Sequence, residues 1–246
     1  MTERSWTAGN VAIVATVRGS VAFITLTRKD AANARNQQMR RELQAVWGAI
    51  AADAEINAVV LSGEGDRFFC AGMDLREAAD AETAVERRDR LRGSRDIEQL
   101  AALPQPTIAA INGYALGGGL EMALACDLRI VADTAQVGLT EVVHGLVPGG
   151  GGTQRLPRLI GYARAADLIF TGRKLDAAEA ESWGLVNRVV PAADLANEAE
   201  RMATEIAAHS GRALRYAKEL LRQSNDVPIG VGAQLELDAL LALMAN

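Results

Sequence analysis

The sequence predicts an α/β protein, and two observations support this class. Up to Val190, short runs typical of buried strands alternate with segments of helical spacing, in the order β-β-α-β-α-β-α-β. From Pro191 the composition changes, and one helical segment follows another to the end of the chain. We therefore expect two parts, an α/β core over residues 1–190 and a helical region over residues 191–246.

Length, composition and net charge narrow the class of protein further. The 246 residues are 49% hydrophobic, which is enough for one sizeable core. The net charge of −5 argues against a general nucleic-acid binder, because such proteins present a basic face. The sequence has no apolar run of membrane-spanning length, and residues 1–17 lack the pattern of a signal segment. Cys70 and Cys126 lie in apolar surroundings, as buried thiols of a reducing compartment do, so we expect a cytoplasmic protein.

The elements of the core follow from periodicity and turn residues. Predicted strands share short apolar or β-branched runs, at Val11–Val17, Ser20–Thr27, Asn57–Ser62, Thr107–Ile111, Leu128–Ala132, Gln136–Thr140 and Gly184–Val190. Predicted helices share apolar spacing of three and four residues, at Gln37–Asp53, from Gln154 to Thr171, and at Asp176–Trp183, Asp194–Ala208, Arg212–Gln223 and Ile229–Met244.

Turn residues and helix-capping residues mark where several predicted elements begin or end. Arg18-Gly19 between the first two strands indicates a hairpin. Asp74 with Glu77, and Asp176 with Glu179, have the spacing of helix caps. Charges of alternating sign over Ala78–Leu103 predict a solvated helix face.

One stretch, Ile111–Asp127, contains most of the candidate functional residues that the sequence pattern indicates. A buried strand ends there, three glycines follow, and the next helix is apolar on nearly every side except for Glu121. The N–H groups around Gly118, at the positive end of that helix, could hold a developing oxyanion, although the glycines could equally serve a close helix–strand contact. A carboxylate drawn into apolar surroundings must be paired, hydrated or functional.

Glu141 offers a second carboxylate 20 residues later. Alone it could be a surface or capping residue, whereas two carboxylates in one pocket could divide acid and base roles. Other catalytic patterns are missing, because the sequence has no G-x-S-x-G and no G-x-G-x-x-G, and the glycine loop Val147–Thr153 lacks a phosphate-binding lysine. With His144 and His209 as the only histidines, a histidine-rich metal site is excluded.

Three ordered segments, Phe69–Leu75, Asn112–Glu121 and Glu141–Pro157, resemble the enoyl-CoA hydratase (crotonase) family. The resemblance covers essentially the whole chain. It implies a spiral of ββα turns, with a C-terminal helical region that builds trimers, often paired into hexamers. The sequence departs from the family pattern at Thr140, where many relatives have proline, and it ends at Asn246, where relatives continue for a short helical segment.

The same resemblance implies an acyl-CoA substrate and no metal or redox cofactor. The thioester carbonyl would lie between the backbone N–H groups of Met73 and Gly118. Glu121 would orient and deprotonate water, Glu141 would give a proton to C2, and the N–H of Gly149 would help to place the water. Residues that would bind CoA are Ala32, Ala34, Arg35, Ala71, Asp74, Leu75 and Arg76, with Arg35 or Arg76 meeting the phosphates.

Both glutamates favour hydration of a 2-enoyl-CoA of fatty-acid or branched acyl-CoA metabolism. Another reaction of the family stays open, either a Δ3-Δ2 isomerase or a methylglutaconyl-CoA-type hydratase, which Leu120 and the segment Gly149–Arg158 resemble. RNA binding, known in one branch, would need a lysine-rich helix, whereas Gln37–Asp53 offers only Arg40 and Arg41 as basic residues. A non-catalytic acyl-CoA-binding protein is the remaining alternative, and the two glutamates count against it.

Overall fold

The computed structural model describes residues 3–5, 12–78, 83, 85 and 95–245, which form two sheets surrounded by helices. The strands of the larger sheet are, in spatial order, β1 (Glu3–Ser5), β2 (Ile13–Arg18), β3 (Val21–Leu26), β4 (Ala58–Gly63), β6 (Thr107–Ile111), β8 (Leu128–Ala132) and β11 (Arg188–Val190). Those of the smaller sheet are β10 (Leu175–Asp176), β9 (Gln136–Gly138), β7 (Tyr114–Leu116) and β5 (Phe68–Cys70).

The described α-helices lie between and after these strands. They are α1 (Gln37–Ala52), α2 (Asp96–Ala102), α3 (Gly118–Ala125), α4 (Gly152–Ile160), α5 (Tyr162–Thr171), α6 (Ala177–Ser182), α7 (Leu195–Ala207), α8 (Gly211–Gln223) and α9 (Ile229–Met244). The predicted hairpin is confirmed, since β2 and β3 pair antiparallel, and from β3 to β11 the larger sheet is parallel.

The chain winds between the two sheets in successive turns. It passes from β4 to β5, from β6 to β7 and from β8 to β9, and each of these pairs is followed by helix. This is the spiral of ββα turns that the resemblance implies. Because β5, β7 and β9 are parallel neighbours, their carboxyl ends meet at one edge of the smaller sheet, where ligands of parallel sheets bind.

For two helices, the structure closely confirms what the sequence pattern predicts. In α1, Met39, Leu43, Trp47 and Ile50 are buried at the predicted spacing, and the side chain of Asn36 caps the helix by accepting a hydrogen bond from the N–H of Met39. In α3, every side chain from Leu120 to Ala125 is buried, as expected for a helix that is apolar on all sides.

The predicted solvated helix over residues 78–103 is only partly observable, because residues 79–82, 84 and 86–94 lie outside the described residues. Its last part is different from the prediction. Ile97 and Leu100 of α2 pack in the core, and Asp96 is buried with 1% of its surface exposed. The tertiary fold can bury this charge because the guanidinium of Arg35 pairs with the Asp96 carboxylate.

The predicted cap at Asp74 is confirmed for the short 3₁₀ helix Leu75–Ala78, because the Asp74 carboxylate accepts a hydrogen bond from the N–H of Arg76 at 3.2 Å. The same carboxylate pairs with the guanidinium groups of Arg28 and Arg76. The Glu77 carboxylate instead accepts from the N–H of Gln37, at the start of α1. The second predicted cap is confirmed, because the Asp176 side chain accepts from the N–H of Glu179. The helix predicted from Gln154 begins two residues earlier and is divided at Gly161.

The first of the C-terminal helices packs against the hydrophobic core. Leu195, Ala199 and Met202 of α7 are buried in the same cluster as the sheet, so α7 belongs physically with the α/β part. Lys218 then holds α8 in place, because its Nζ donates to the Gln105 carbonyl at 2.8 Å and lies 2.7 Å from Asp127 Oδ2. The predicted division at residue 190 stays a prediction. No α-helix in the described ranges is long and apolar enough to span a bilayer.

Candidate active site

A cavity of about 440 Å³ lies where β5, β7 and β9 end. The parallel order of these strands brings three distant segments together, one after each strand. The predicted site residues that line the cavity are Arg35, Ala71, Met73, Leu75, Gly118, Glu121, Glu141 and Gly149. Both glutamates therefore face one volume large enough for part of a small-molecule substrate.

Glu121 is buried in the first turn of α3, with 3% of its surface exposed. Its Oε1 accepts hydrogen bonds from the N–H groups of Gly150 at 2.7 Å and Gly152 at 2.8 Å. A carboxylate anion is a strong acceptor for such donors, so the loop before α4 supplies the partners that a buried charge requires. The sequence indicated a glycine loop here but singled out only Gly149.

Glu141 has the opposite surroundings. It opens a 3₁₀ turn, Glu141–His144, directly after β9, and its Oε2 is buried without a hydrogen-bond partner among the described residues. Burial raises the pKa of the Glu141 carboxyl to about 7, and the nearby charge of Glu121 acts in the same direction. With a pKa near neutral pH, the Glu141 carboxyl can hold or release a proton under ordinary conditions, as groups in acid–base chemistry do.

The peptides of Met73 and Gly118 meet at the cavity wall. A Cβ built on Gly72, whose φ is +96°, would lie 2.9 Å from the Leu116 carbonyl oxygen and 3.1 Å from the Gly118 nitrogen. A Cβ on Gly118 would lie 3.7 Å from the Met73 nitrogen. Only glycine permits this approach, and it leaves both N–H groups beside one another at the N-terminus of α3.

The two segments predicted to bind CoA also lie side by side. Backbone hydrogen bonds join Ala71 N–H to the Ala32 carbonyl, Arg35 N–H to the Gly72 carbonyl, and Asp74 N–H to the Arg35 carbonyl. The last two bonds make a short parallel bridge between Arg35 and Met73, in which Arg35 and Asp74 are the donors and Met73 N–H is not. Of the other predicted residues, Ala71 and Leu75 line the cavity, whereas Ala32, Ala34 and Asp74 are not among its lining residues.

The two arginines proposed for the phosphates differ in position. Arg76 is exposed and pairs with Asp74 at 3.0 Å, and its guanidinium lowers the pKa of the Asp74 carboxyl to about 2. Arg35 is buried, and its guanidinium bonds to both carboxylate oxygens of Asp96. Of the two, only Arg76 is exposed to solvent, and a contact with the phosphates stays a prediction.

Several residues that line the cavity were not predicted as site residues from the sequence. They come from α1, α2 and the turn after β9, namely Arg40, Ile97, Glu98, His144, Leu146 and Val147. The apolar spacing of Ile97 and Leu100 within the charged segment was the signal that could have revealed α2 as a wall of the site. Within the described ranges no group of three or more His, Cys, Asp or Glu side chains is arranged to hold a metal ion.

The position of α3 depends on Gly119, and this gives a testable expectation. A Cβ on Gly119 would lie 2.0 Å from the Cys70 carbonyl oxygen, so Gly119→Ala must push α3 away from β5. We expect the free energy of unfolding in urea to fall by about 1–3 kcal/mol, the usual cost of overpacking. Gly48→Ala is the matched control, because Gly48 is an exposed residue of α1 whose added Cβ meets nothing within 4 Å. Its stability should equal or exceed that of the wild type, and equal stability of both variants would contradict the contact.

Comparisons with known proteins show the family and agree with the observed fold. The family model described as enoyl-CoA hydratase/isomerase matches residues 16–242. The short-chain-enoyl-CoA hydratase of Clostridium acetobutylicum is 40% identical over 224 residues, which are 91% of this chain and 83% of the relative. The crystal structure of an enoyl-CoA hydratase from Bacillus anthracis superposes with a TM-score of 0.92 at 42% identity, over 96% of this chain and 92% of that chain. A Thermobifida fusca protein solved in complex with acetoacetyl-CoA superposes with a TM-score of 0.89 at 33% identity, over 96% of this chain and 95% of that one.

Proposed function

Because the chain belongs to the enoyl-CoA hydratase/isomerase family and is an enoyl-CoA hydratase, we propose that Glu121 and Glu141 together add water across the C2–C3 double bond of a 2-enoyl-CoA. The supporting observation is a single cavity with two glutamates in opposite surroundings. Glu121 accepts two backbone hydrogen bonds, whereas burial raises the pKa of Glu141 to about 7, so that Glu141 holds its proton up to near-neutral pH. Such a pair suits a base and an acid in one site.

In the proposed reaction the thioester oxygen accepts hydrogen bonds from the N–H groups of Met73 and Gly118. As the hydroxyl of water bonds to C3, Glu121 takes the proton that the water loses, and negative charge moves to the thioester oxygen as an enolate. The two N–H groups and the N-terminus of α3 stabilise that charge. Glu141 then protonates C2, and exchange with solvent returns each carboxyl group to its starting state. The role of Gly149 in placing the water stays a prediction.

The acyl-CoA substrate is proposed to use the paired segments around Ala32–Arg35 and Ala71–Arg76 for its CoA part. The complex of the Thermobifida fusca protein with acetoacetyl-CoA supports an acyl-CoA ligand for this fold. Leu146 and Val147 expose apolar side chains at the cavity and suit an acyl chain. Coenzyme A enters as part of the substrate, and the proposed chemistry needs no metal or redox cofactor.

A substrate panel tests the assignment. The purified protein is assayed with 2-enoyl-CoA thioesters of increasing length, a branched methylglutaconyl-CoA and a 3-enoyl-CoA, with kcat/KM as the readout. We expect the highest values for hydration of a 2-enoyl-CoA. Isomerisation of the 3-enoyl-CoA faster than any hydration would favour the alternative reaction of the family, and a preference for methylglutaconyl-CoA would define the branched type.

We further propose that the protein forms a trimer, or a hexamer of two trimers, through its C-terminal helices. Large apolar side chains remain exposed on α8 and α9, at Leu221, Ile229, Leu237, Leu240 and Met244. Apolar patches of this kind typically mark protein interfaces. Light scattering during size exclusion would measure the mass of the assembly, and a monomer at micromolar concentration would contradict the proposal.

A cytoplasmic location is also a proposal. The two cysteines, Cys70 and Cys126, are buried and free, and burial raises the pKa of both thiols, to about 11 and about 12. Such inert thiols are typical of a reducing compartment. RNA binding has little support, because Arg40, one of the two basic residues of α1, is buried.

A further inference from the structure

Arg35 and Asp96 form a buried ion pair beside the reaction site, for which the proposed chemistry has no use. Arg35 Nε and Nη2 lie 3.0 and 2.7 Å from the carboxylate oxygens of Asp96, and the two residues are 8% and 1% exposed. Burying such a pair is costly, and replacing it with apolar side chains is often neutral or stabilising. Its presence next to a catalytic cavity therefore suggests a function other than stability.

The backbone of Arg35 holds one half of the oxyanion hole. Its N–H donates to the Gly72 carbonyl at 2.7 Å, and its carbonyl accepts from the Asp74 N–H at 3.1 Å. These two bonds form a short parallel bridge with Met73 at its centre. The direction of the Met73 N–H is thus set by the backbone of Arg35.

The side chain of Arg35 reaches the other half. A Cβ built on Gly118 would lie 2.9 Å from Arg35 Nη1, so the guanidinium rests against the Gly118 backbone at the start of α3. Asp96 fixes the guanidinium there from α2, with two parallel hydrogen bonds that allow little rotation. One residue therefore contacts both peptides that would bind the thioester oxygen.

We propose that Arg35 is a positioning residue of the oxyanion hole, which holds the Met73 and Gly118 N–H groups at their working separation and is itself held by Asp96. This inference rests on the proposed function of those two N–H groups. The buried positive charge also lies on the side where the enolate oxygen develops its negative charge. Both effects act on the enolate. The CoA part of the ligand is proposed to contact the backbone of Ala32–Arg35, which a substitution of the Arg35 side chain retains.

The test uses the double variant Arg35→Met/Asp96→Leu in the full chain, since removal of Arg35 alone would leave Asp96 buried and unpaired and could prevent folding. Three properties are measured: kcat and KM for crotonyl-CoA, the affinity for free CoA, and the near-ultraviolet absorbance of the enolate of bound acetoacetyl-CoA as a function of pH. Free CoA has no thioester carbonyl, so its affinity reports folding of the CoA site alone. Asp96→Asn, which keeps the shape of the pair, is the second variant.

We expect the double variant to bind CoA as the wild type does and to lose about tenfold to a hundredfold in kcat, less than the 10²–10³ of an oxyanion donor removed outright. The bound acetoacetyl-CoA should form its enolate only at higher pH. Asp96→Asn keeps the guanidinium and loses only its anionic partner, so its loss in kcat should be smaller than that of the double variant. Lys218→Met, which removes another buried cation far along the chain, should lower stability and leave the enolate absorbance unchanged.

Two results would overturn the proposal. One is a folded double variant whose kcat and enolate absorbance stay within about twofold of the wild type. The other is a lower kcat with an unchanged enolate, which would place the effect away from the thioester oxygen. If the wild type hydrates no 2-enoyl-CoA, the proposed function fails, while the enolate comparison still decides the role of Arg35.

Discussion

Glu121→Gln is expected to lower kcat for hydration of crotonyl-CoA by roughly 10²–10⁴-fold, the range typical of a lost general base. The amide oxygen of glutamine can still accept from the N–H groups of Gly150 and Gly152, so the loop before α4 should keep its place. An amide cannot take a proton from water at neutral pH. The loss should therefore fall on kcat, measured by the decrease of enoyl absorbance at saturating substrate.

Two controls separate chemistry from folding for this variant. The affinity for acetoacetyl-CoA and the free energy of unfolding should stay close to those of the wild type. Glu55→Gln makes the same chemical change at an exposed position and should leave kcat unaltered. Hydration by Glu121→Gln at the wild-type rate would show that the water is activated elsewhere.

Glu141→Gln is expected to cause a loss of similar size, roughly 10²–10⁴-fold, because the variant lacks the proton for C2. The pH dependence makes the assignment specific. The wild-type carboxyl has a pKa of about 7, so the rate of hydration should fall as the pH rises through that value and Glu141 loses its proton. In Glu141→Gln the residual rate should lack this decrease, and a wild-type profile that stays flat between about pH 5 and pH 9 would contradict the assignment.

The same substitution should change stability in a direction set by linkage. The pKa of Glu141 in the folded protein, about 7, lies above the ordinary glutamate value of 4.5, so the folded state binds the proton more tightly than the unfolded state. The free energy of unfolding of the wild type should therefore fall as the pH rises between these two values. Glutamine carries no charge to desolvate, so Glu141→Gln should gain stability relative to the wild type at high pH. Urea unfolding at about pH 4 and about pH 8 measures the difference, and an equal difference at both would contradict the buried carboxylate.

Residues whose local surroundings are already visible in the sequence were predicted correctly. The strands at Thr107–Ile111 and Leu128–Ala132 and the helix at Gln37–Asp53 follow from periodicity, which depends on neighbours along the chain. Glu121 was recognisable because it is one carboxylate in an otherwise apolar helix. The hydratase assignment itself came from three ordered motifs, and the comparisons agree with it.

Other features depend on contacts between distant parts of the chain. Asp96 lies in a run of alternating charges and was expected in solvent, yet Arg35, 61 positions earlier, draws it into the interior. The donors to Glu121 are Gly150 and Gly152, about 30 positions later, and no local pattern distinguishes them from Gly149. In each case the two partners are distant in the sequence and come into contact because the chain winds between the two sheets.

By itself, then, the sequence determined the α/β class, the buried helix α3 and the two glutamates, because hydrophobic periodicity and a charge among apolar neighbours are local properties. Only the tertiary structure decided that the two glutamates differ. One receives backbone hydrogen bonds from a glycine loop and the other is buried without a partner. The energy of a charge depends on the dielectric and the donors around it in three dimensions, and the parallel strands β5, β7 and β9 bring those surroundings together.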